Sequence, residues 1–503
     1  MKKIFLCSLV LIMTLSISCK KFLEEYSQDE MRPGSTGDLT SLMNGDAYPN
    51  GVSIETFDVL TDDIQNNPLV LVSGAPIATY LTTLQAATPM FTFDPSMFDQ
   101  NNTVASSANV YTKLYLKIKG CNVIIDYLDK VSGTAKEKNA ILGQCLFLRG
   151  YYYLKLVTTY AQMYNGQGVN PETTLGIPLV LTSQVKDGGL PRNTLKEVYD
   201  QIEKDLLEAE PLLRANFIPA TPFRVSADVC STLLSRFYLY KGRNEDMDKV
   251  IQYASATLQN RFVLTALSSF VGANNSIIAN GIYNVSSPEV LWVYAGNYSD
   301  ANFVGFDPRS LPPFTVSSEL SNLYDKGTGT SNYGDLRFQY YFQSFTTNGG
   351  TKFPYRTGKN TINATYGTKG FRVAELYLNR AEAYARRFIA SGNAADRTAA
   401  LADLNTLRQS RYDNRNTAYT PVNITDAQAL YSFCKDERRR ELALEDGHRF
   451  VDLKRWGLGV THVYTGTDNV TRTFTLPANS PLFALPIPYD AMLGNPGLVQ
   501  NPR

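Results

Sequence analysis

Residues 111–163 read YTKLYLKIKGCNVIIDYLDKVSGTAKEKNAILGQCLFLRGYYYLKLVTTYAQM, and their spacing decides the architecture. Tyr111, Leu114, Ile118, Cys121, Ile125 and Leu128 recur at intervals of 3, 4, 3, 4 and 3, one face of an α-helix. Ser132, Gly133 and Thr134 break that pattern. A second helix is predicted over 135–163, stopped by Asn165-Gly166 and Gly168. The two form a helical hairpin. Further along, Thr194 with Glu197 three residues on makes a capping box that opens a helix over 194–214. Its partner spans 226–241 and stops at Gly242, and a fifth helix spans 246–260. Helices return with Ala374, Tyr377, Ala381, Tyr384 and Phe388, again at intervals of 3 and 4, followed by helices over 399–411 and 426–445. Recurrent pairs of this length suit tetratricopeptide-like hairpins that stack side by side.

Between the helical parts the character changes. Residues 261–370 are rich in Gly, Asn, Ser, Thr, Tyr and Phe and lose helical periodicity, although VLWVY at 290–294 reads as a strand. A loop-rich stretch of this length in an ordered chain points to function, and its aromatics argue against disorder. Residues 65–108 read as long loops with short turns of helix. The last 50 residues read as strand and turn.

Composition narrows the function. The chain has 503 residues, 48 Lys and Arg against 47 Asp and Glu, and a net charge of +1. That balance lacks the basic surplus of a nucleic-acid binder. Two histidines, His448 and His462, leave little room for histidine-based metal or acid–base sites. No G-x-S-x-G, H-E-x-x-H or Walker sequence occurs. Glu441, Glu445 and His448 include one E-x-x-H spacing, interrupted by Gly447, and read as part of a salt-bridge network rather than as a metal site, with Arg438, Arg439 and Arg440 beside Glu437, Glu441 and Glu445 at helical i,i+3 and i,i+4 spacing. Trp456, just beyond, reads as core. Cofactors and catalytic residues are expected to be none.

The N-terminus, MKKIFLCSLVLIMTLSISC, has a basic start and an apolar stretch below the roughly 20 residues that span a bilayer. It fits an export signal over 1–18, cut before Cys19, whose thiol would carry lipid. Cleavage removes Lys2 and Lys3 and takes the net charge from +1 to −1. Cys121, Cys145, Cys230 and Cys434 lie in helical patterns and read as buried free thiols; a Cys121–Cys145 disulfide between paired helices is the alternative.

Several blocks resemble the SusD/RagB family of Bacteroidota outer-membrane lipoproteins. They are CKKFLEE from Cys19, YTKLYLKIKGCN at 111–122, FLRGYYY at 147–153, GIPL at 176–179 and RNTLKEVYDQIEKDLLEA from Arg192. Further blocks are FRVAELYLNRAEA at 371–383, ERRRELALE at 437–445, RFVDLKRW at 449–456 and the closing Pro486-Ile487-Pro488 and Asn495-Pro496. The resemblance covers nearly the whole mature chain. It implies a mainly α fold of about four tetratricopeptide-like units, with a large irregular insertion and short strands. It implies a surface lipoprotein that binds oligosaccharides or other large nutrients, is not an enzyme, and partners a SusC-like TonB-dependent transporter in the outer membrane. The competing readings are a helical-repeat protein–protein adaptor and a glycan-active hydrolase. The expected layout is a signal peptide (1–18), a lipidated tether and lead-in (19–55), an N-terminal helical part (56–260), the insertion with the ligand face (261–370) and a C-terminal helical part and tail (371–503).

Sugars pair an apolar C–H face with a rim of hydroxyls, so a site for them combines aromatic rings with Asn, Asp or Gln. Two segments have this mixture. One holds Phe91, Phe93, Phe98, Asn101 and Asn102; the other holds Tyr294, Asn297, Tyr298, Asp300, Asn302, Phe303 and Phe306. These are the expected ligand-binding residues, with Cys19 as the lipidation site and no metal.

Overall fold

The computed structural model describes residues 32–49, 57–69, 78–99, 110–184, 188–271, 282–283, 285–294, 311–329, 332–346, 352–357, 359 and 369–502. The chain is mainly α-helical. α1 (Thr36–Leu42) opens on a Ser35/Asp38 capping box and runs into a π-helical turn, Met43–Ala47. α2 spans Ala78–Phe91. The scaffold proper is α3 (Tyr111–Tyr127), α4 (Ala135–Tyr160), α5 (Leu195–Asn216), α6 (Ala227–Lys241), α7 (Met247–Leu258), α8 (Val373–Ser391), α9 (Ala394–Arg411) and α10 (Ala427–Leu442), followed by the short α11 (His448–Arg455).

Each scaffold helix packs on the next from α3 to α8, and α8 also packs on α9 and α10. The pairs α3/α4, α5/α6, α7/α8 and α9/α10 are the four tetratricopeptide-like units. Glycines let the backbones close up: a Cβ on Gly150 of α4 would stand 3.1 Å from Leu206 Cδ2 of α5. Alanines do the same for α8, where Ala381 and Ala385 are fully buried against Ala400, Leu404, Leu430 and Cys434.

The expected capping box at Thr194 forms: its side chain accepts from Glu197 N at 3.2 Å and Glu197 accepts from Thr194 N at 2.9 Å. Gly242 ends α6 in the left-handed region at φ 79°, as a C-terminal glycine should. Four boundaries differ from the sequence reading by three residues or more, the first being that α4 ends at Tyr160 and not at 163. α2 occupies part of 65–108, where only short turns are expected. Its buried residues Tyr80, Leu84, Ala87 and Phe91 do keep helical spacing, diluted by threonines and Pro89. α9 begins five residues before 399. The helix over 426–445 ends at Leu442, because Leu444, Asp446 and Gly447 take positive φ and turn the chain into α11.

Among the described residues the strands form four antiparallel pairs. β1 (Ile64–Asn66) pairs with β3 (Phe314–Val316), Ile64 opposite Val316. β2 (Val290–Val293) pairs with β6 (Gly370–Arg372), β4 (Phe342–Thr346) with β5 (Lys352–Thr357), and β7 (Val460–Thr465) with β8 (Thr471–Leu476). The insertion therefore holds more ordered structure than one strand. Trp292 of β2 is fully buried in a cage of Phe147, Tyr151 and Phe371, with ring centroids 5.2–5.6 Å away. Cys121, Cys145, Cys230 and Cys434 are buried free thiols, so no Cys121–Cys145 bridge joins α3 to α4. Among the described residues no helix is long and apolar enough to cross a membrane.

Candidate functional site

The first expected loop begins where α2 ends. Phe93 takes a left-handed φ of 56°, which turns the chain back beneath the helix. His462 of β7 slides between two rings there, 3.9 Å from the Phe91 centroid and 4.7 Å from the Phe93 centroid, nearly parallel to both. Its Nδ1 lies 2.7 Å from Phe91 O and its Nε2 3.0 Å from Thr61 O. Burial pushes its pKa down, against the pull of those two carbonyls. Phe91 also touches Phe314 of β3, centroid to centroid 5.0 Å. Phe98 accepts Tyr489 N on its carbonyl at 3.2 Å.

These contacts correct the expectation of exposed rings. Phe91 is fully buried, and Phe93 and Phe98 are each 8% exposed. Tyr294 is 2% exposed, with its hydroxyl 2.9 Å from Tyr151 Oη and its ring against Trp292. All four are framework residues with no free face for a ligand to stack on. Asn101, Asn102, Asn297, Tyr298, Asp300, Asn302, Phe303, Phe306 and Cys19 lie outside the described residues.

What the structure adds is a frame beside the first loop. Asn66 donates through Nδ2 to Pro313 O at 3.0 Å, and Asn67 through Nδ2 to Pro312 O at 2.9 Å and Thr315 Oγ1 at 3.1 Å. Tyr80 of α2 donates to Asn67 O at 2.8 Å, and Thr465 N of β7 to Asn66 Oδ1 at 2.8 Å. These bonds join α2, β1, β3 and β7 into one platform, with Pro312 and Pro313 held on it. Sequence reasoning missed Asn66, Asn67 and His462. The amide run before Pro68 was the one local signal; nothing local tied it to His462.

The charged blocks do something else. Glu441 accepts from Arg372 Nη1 (2.9 Å), Arg411 Nε (2.9 Å), Arg337 Nη1 (3.1 Å) and Tyr341 Oη (2.7 Å). Glu445 takes Arg372 (2.6 Å) and Lys359 (2.8 Å). Burial raises both carboxyls, but the cations outweigh it: Glu445 sits at about 2 and Glu441 well below the carboxylate range. The expected pairing along one helix is realised at Glu437–Arg440, 3.0 Å; Glu441, Glu445, Arg438 and Arg439 pair across elements instead. His448 bonds Tyr240 Oη through Nδ1 at 2.8 Å, and burial beside Arg236 and Arg438 holds it neutral. Among the described residues no group of three or more His, Cys, Asp and Glu is placed to hold a metal.

The SusD family model matches residues 274–503, and a SusD-like model described as starch-binding, associating with outer membrane, matches residues 76–239. The chain belongs to the SusD/RagB family. Solved structures share its fold. A SusD-like carbohydrate binding protein from Bacteroides vulgatus is 21% identical over 92% of this chain and 97% of its own, with a TM-score of 0.65. A SusD superfamily protein from Bacteroides thetaiotaomicron is 19% identical over 93% and 100%, TM-score 0.67. Another from Bacteroides fragilis is 20% identical over 92% and 99%, TM-score 0.65. No match is found among curated proteins.

The SusD-like blocks interlock physically. Arg149 of FLRGYYY donates to Asp205 of the 192–209 block at 2.8 and 2.7 Å and to Asn122 Oδ1 of the 111–122 block at 2.9 Å. Glu375 of FRVAE takes Arg236 at 2.7 Å, and Glu382 takes Arg455 at 2.6 Å. These residues hold the SusD scaffold together; none lies on the platform.

Proposed function

We propose that this SusD-family protein is a lipoprotein, anchored through Cys19 on the outer face of the outer membrane, that binds an oligosaccharide or comparably large nutrient and passes it to a SusC-like TonB-dependent transporter. The observation that carries the reading is the platform. Its aromatics Phe91, Phe93 and Phe98, like Tyr294 in the Trp292 cage, are committed to packing, which supports assigning ligand contact to the other ring- and amide-bearing residues of the two segments, Asn101, Asn102, Asn297, Tyr298, Asp300, Asn302, Phe303 and Phe306. The SusD-like relatives described as carbohydrate- or starch-binding supply the ligand class. A binding role also suits the acids of the family blocks. Glu382, Glu437 and Glu445 are buried, arginine-paired and held at about 2, so they remain ionised and have no proton to donate at neutral pH.

Glycan-array screening followed by titration calorimetry tests this. A cognate glycan should bind without being cleaved. Tyr298→Ala should weaken it about tenfold or more, roughly 1.4 kcal/mol, while the melting midpoint stays put. Cleavage of the glycan, or undiminished affinity in Tyr298→Ala and in an Asn302→Ala variant alike, would overturn the reading.

A further inference from the structure

A second pocket lies on the helical scaffold, on different elements from the platform. It has a volume of about 220 Å³ and is lined by Tyr240 of α6, Arg386 of α8, Tyr431 and Lys435 of α10, and Arg455 and Trp456 at the end of α11. Arg455 is neutralised: it donates to both oxygens of Glu382 at 2.6 and 2.7 Å and to Asp452 at 2.7 Å. Trp456 Nε1 also faces Glu382, at 3.3 Å, so that carboxylate is fully engaged.

The other two cations are different. Arg386 donates through Nη2 to neutral acceptors, Gly242 O and Asn244 Oδ1, both at 2.7 Å. Lys435 Nζ stands 4.9 Å from the Tyr431 ring centroid and 5.8 Å from that of Trp456. Among the described residues neither Arg386 nor Lys435 forms an ion pair, although Arg386 acts from further off on the Glu382 carboxyl. Ring faces hold an ammonium by cation–π attraction but do not cancel its charge. The Tyr431 hydroxyl, pushed up to about 12 chiefly by burial, stays protonated and adds a neutral donor. Trp456, expected in the core, is half-buried and shows part of its ring to this pocket.

We propose that this pocket binds a single acidic sugar residue, a uronic acid, independently of the platform. The carboxylate would lie between Lys435 and Arg386 and the pyranose ring against Trp456. Pockets for drug-sized ligands run from about 300 to 1,000 Å³, so this one has room for one monosaccharide unit and not for a chain.

The chain has two tryptophans, and Trp292 is fully buried, so the emission of Trp456 reports on the site. The full mature protein is titrated with glucuronic acid, glucose and inorganic sulfate. Glucuronic acid should give a saturable change, at least tenfold stronger than either glucose or sulfate, and weakened by added salt. Lys435→Met should lose it tenfold with an unchanged melting midpoint, Trp456→Phe should lose the optical signal, and Tyr298→Ala should keep both. Equal binding of glucose overturns the charge argument. Sulfate binding as tightly as glucuronic acid overturns the sugar assignment. An unchanged affinity in Lys435→Met, or in Arg386→Met should the first variant melt early, overturns the site.

Discussion

Glu441 shows what single charges do in this protein. It is fully buried and takes hydrogen bonds from three arginines and a tyrosine. Removing one partner of such a cluster leaves uncompensated buried charge and costs about 3–5 kcal/mol. Glu441→Gln keeps the shape and deletes the charge, so denaturant unfolding should show a loss of that order; a change below about 1 kcal/mol would mean that the cluster is well hydrated. The pH dependence follows from the same groups. Glu382, Glu437 and Glu445 sit at about 2 in the folded chain, against about 4.5 when unfolded. The unfolded state binds more protons across that interval, so their stabilisation is complete above about pH 5 and is lost as pH falls toward 2. Lys454 works on the alkaline side. It is buried with no carboxylate beside it among the described residues, donating to Thr158 O (2.8 Å) and Ala161 O at the end of α4, and burial alone lowers it from 10.5 to about 7. Here too the unfolded chain binds more protons, between about pH 7 and 10.5, so this residue makes stability rise with pH there. Lys454→Met should flatten the melting midpoint over that range; an unaltered slope would mean that other groups set it.

At the scale of elements, α8 is the centre of the C-terminal packing. Ala381 is fully buried in it, facing α9 and α10. Ala381→Trp should overpack that contact and cost about 1–3 kcal/mol; an unmoved midpoint would show that α8 can slide to admit the ring. The scaffold helices were legible in the sequence because their apolar period, caps and stop glycines are local signals, and they agree with one another at Thr194, Gly242 and the Ala374–Phe388 face. α2 was hidden because Thr82, Thr83, Thr88 and Pro89 obscure a four-residue apolar face. The break after Leu442 was hidden because positive φ at Leu444 and Asp446 has no residue-type signature. The candidate site was legible in composition only. Phe91, Phe93 and Tyr294 have the same chemistry whether they meet a sugar or a core, and what decides is the partner. His462 reaches Thr61 across 401 residues of chain, and no local pattern reports such a pairing.

At the scale of the molecule, buried charge pairs set the scaffold. The family blocks hold buried ion pairs between distant segments, Arg149–Asp205, Arg236–Glu375 and Arg372–Glu441, and these fix how the helices sit. In the proposed role such a molecule must be held at a membrane. With residues 1–18 removed its net charge is −1, so electrostatic attraction to an anionic surface contributes little. No described helix can cross a bilayer. In the proposed role the acyl group on Cys19 therefore supplies the attachment, at about 0.8 kcal/mol for each methylene buried. Cys19→Ala should leave the fold and the glycan affinity intact, because the tether precedes the first described helix at Thr36. It should also abolish incorporation of a labelled lipid precursor and move the protein from the membrane fraction to the soluble one. Cys19→Ala protein that still sediments with the membrane at normal levels would sink the lipid anchor and leave a protein–protein contact as the means of retention.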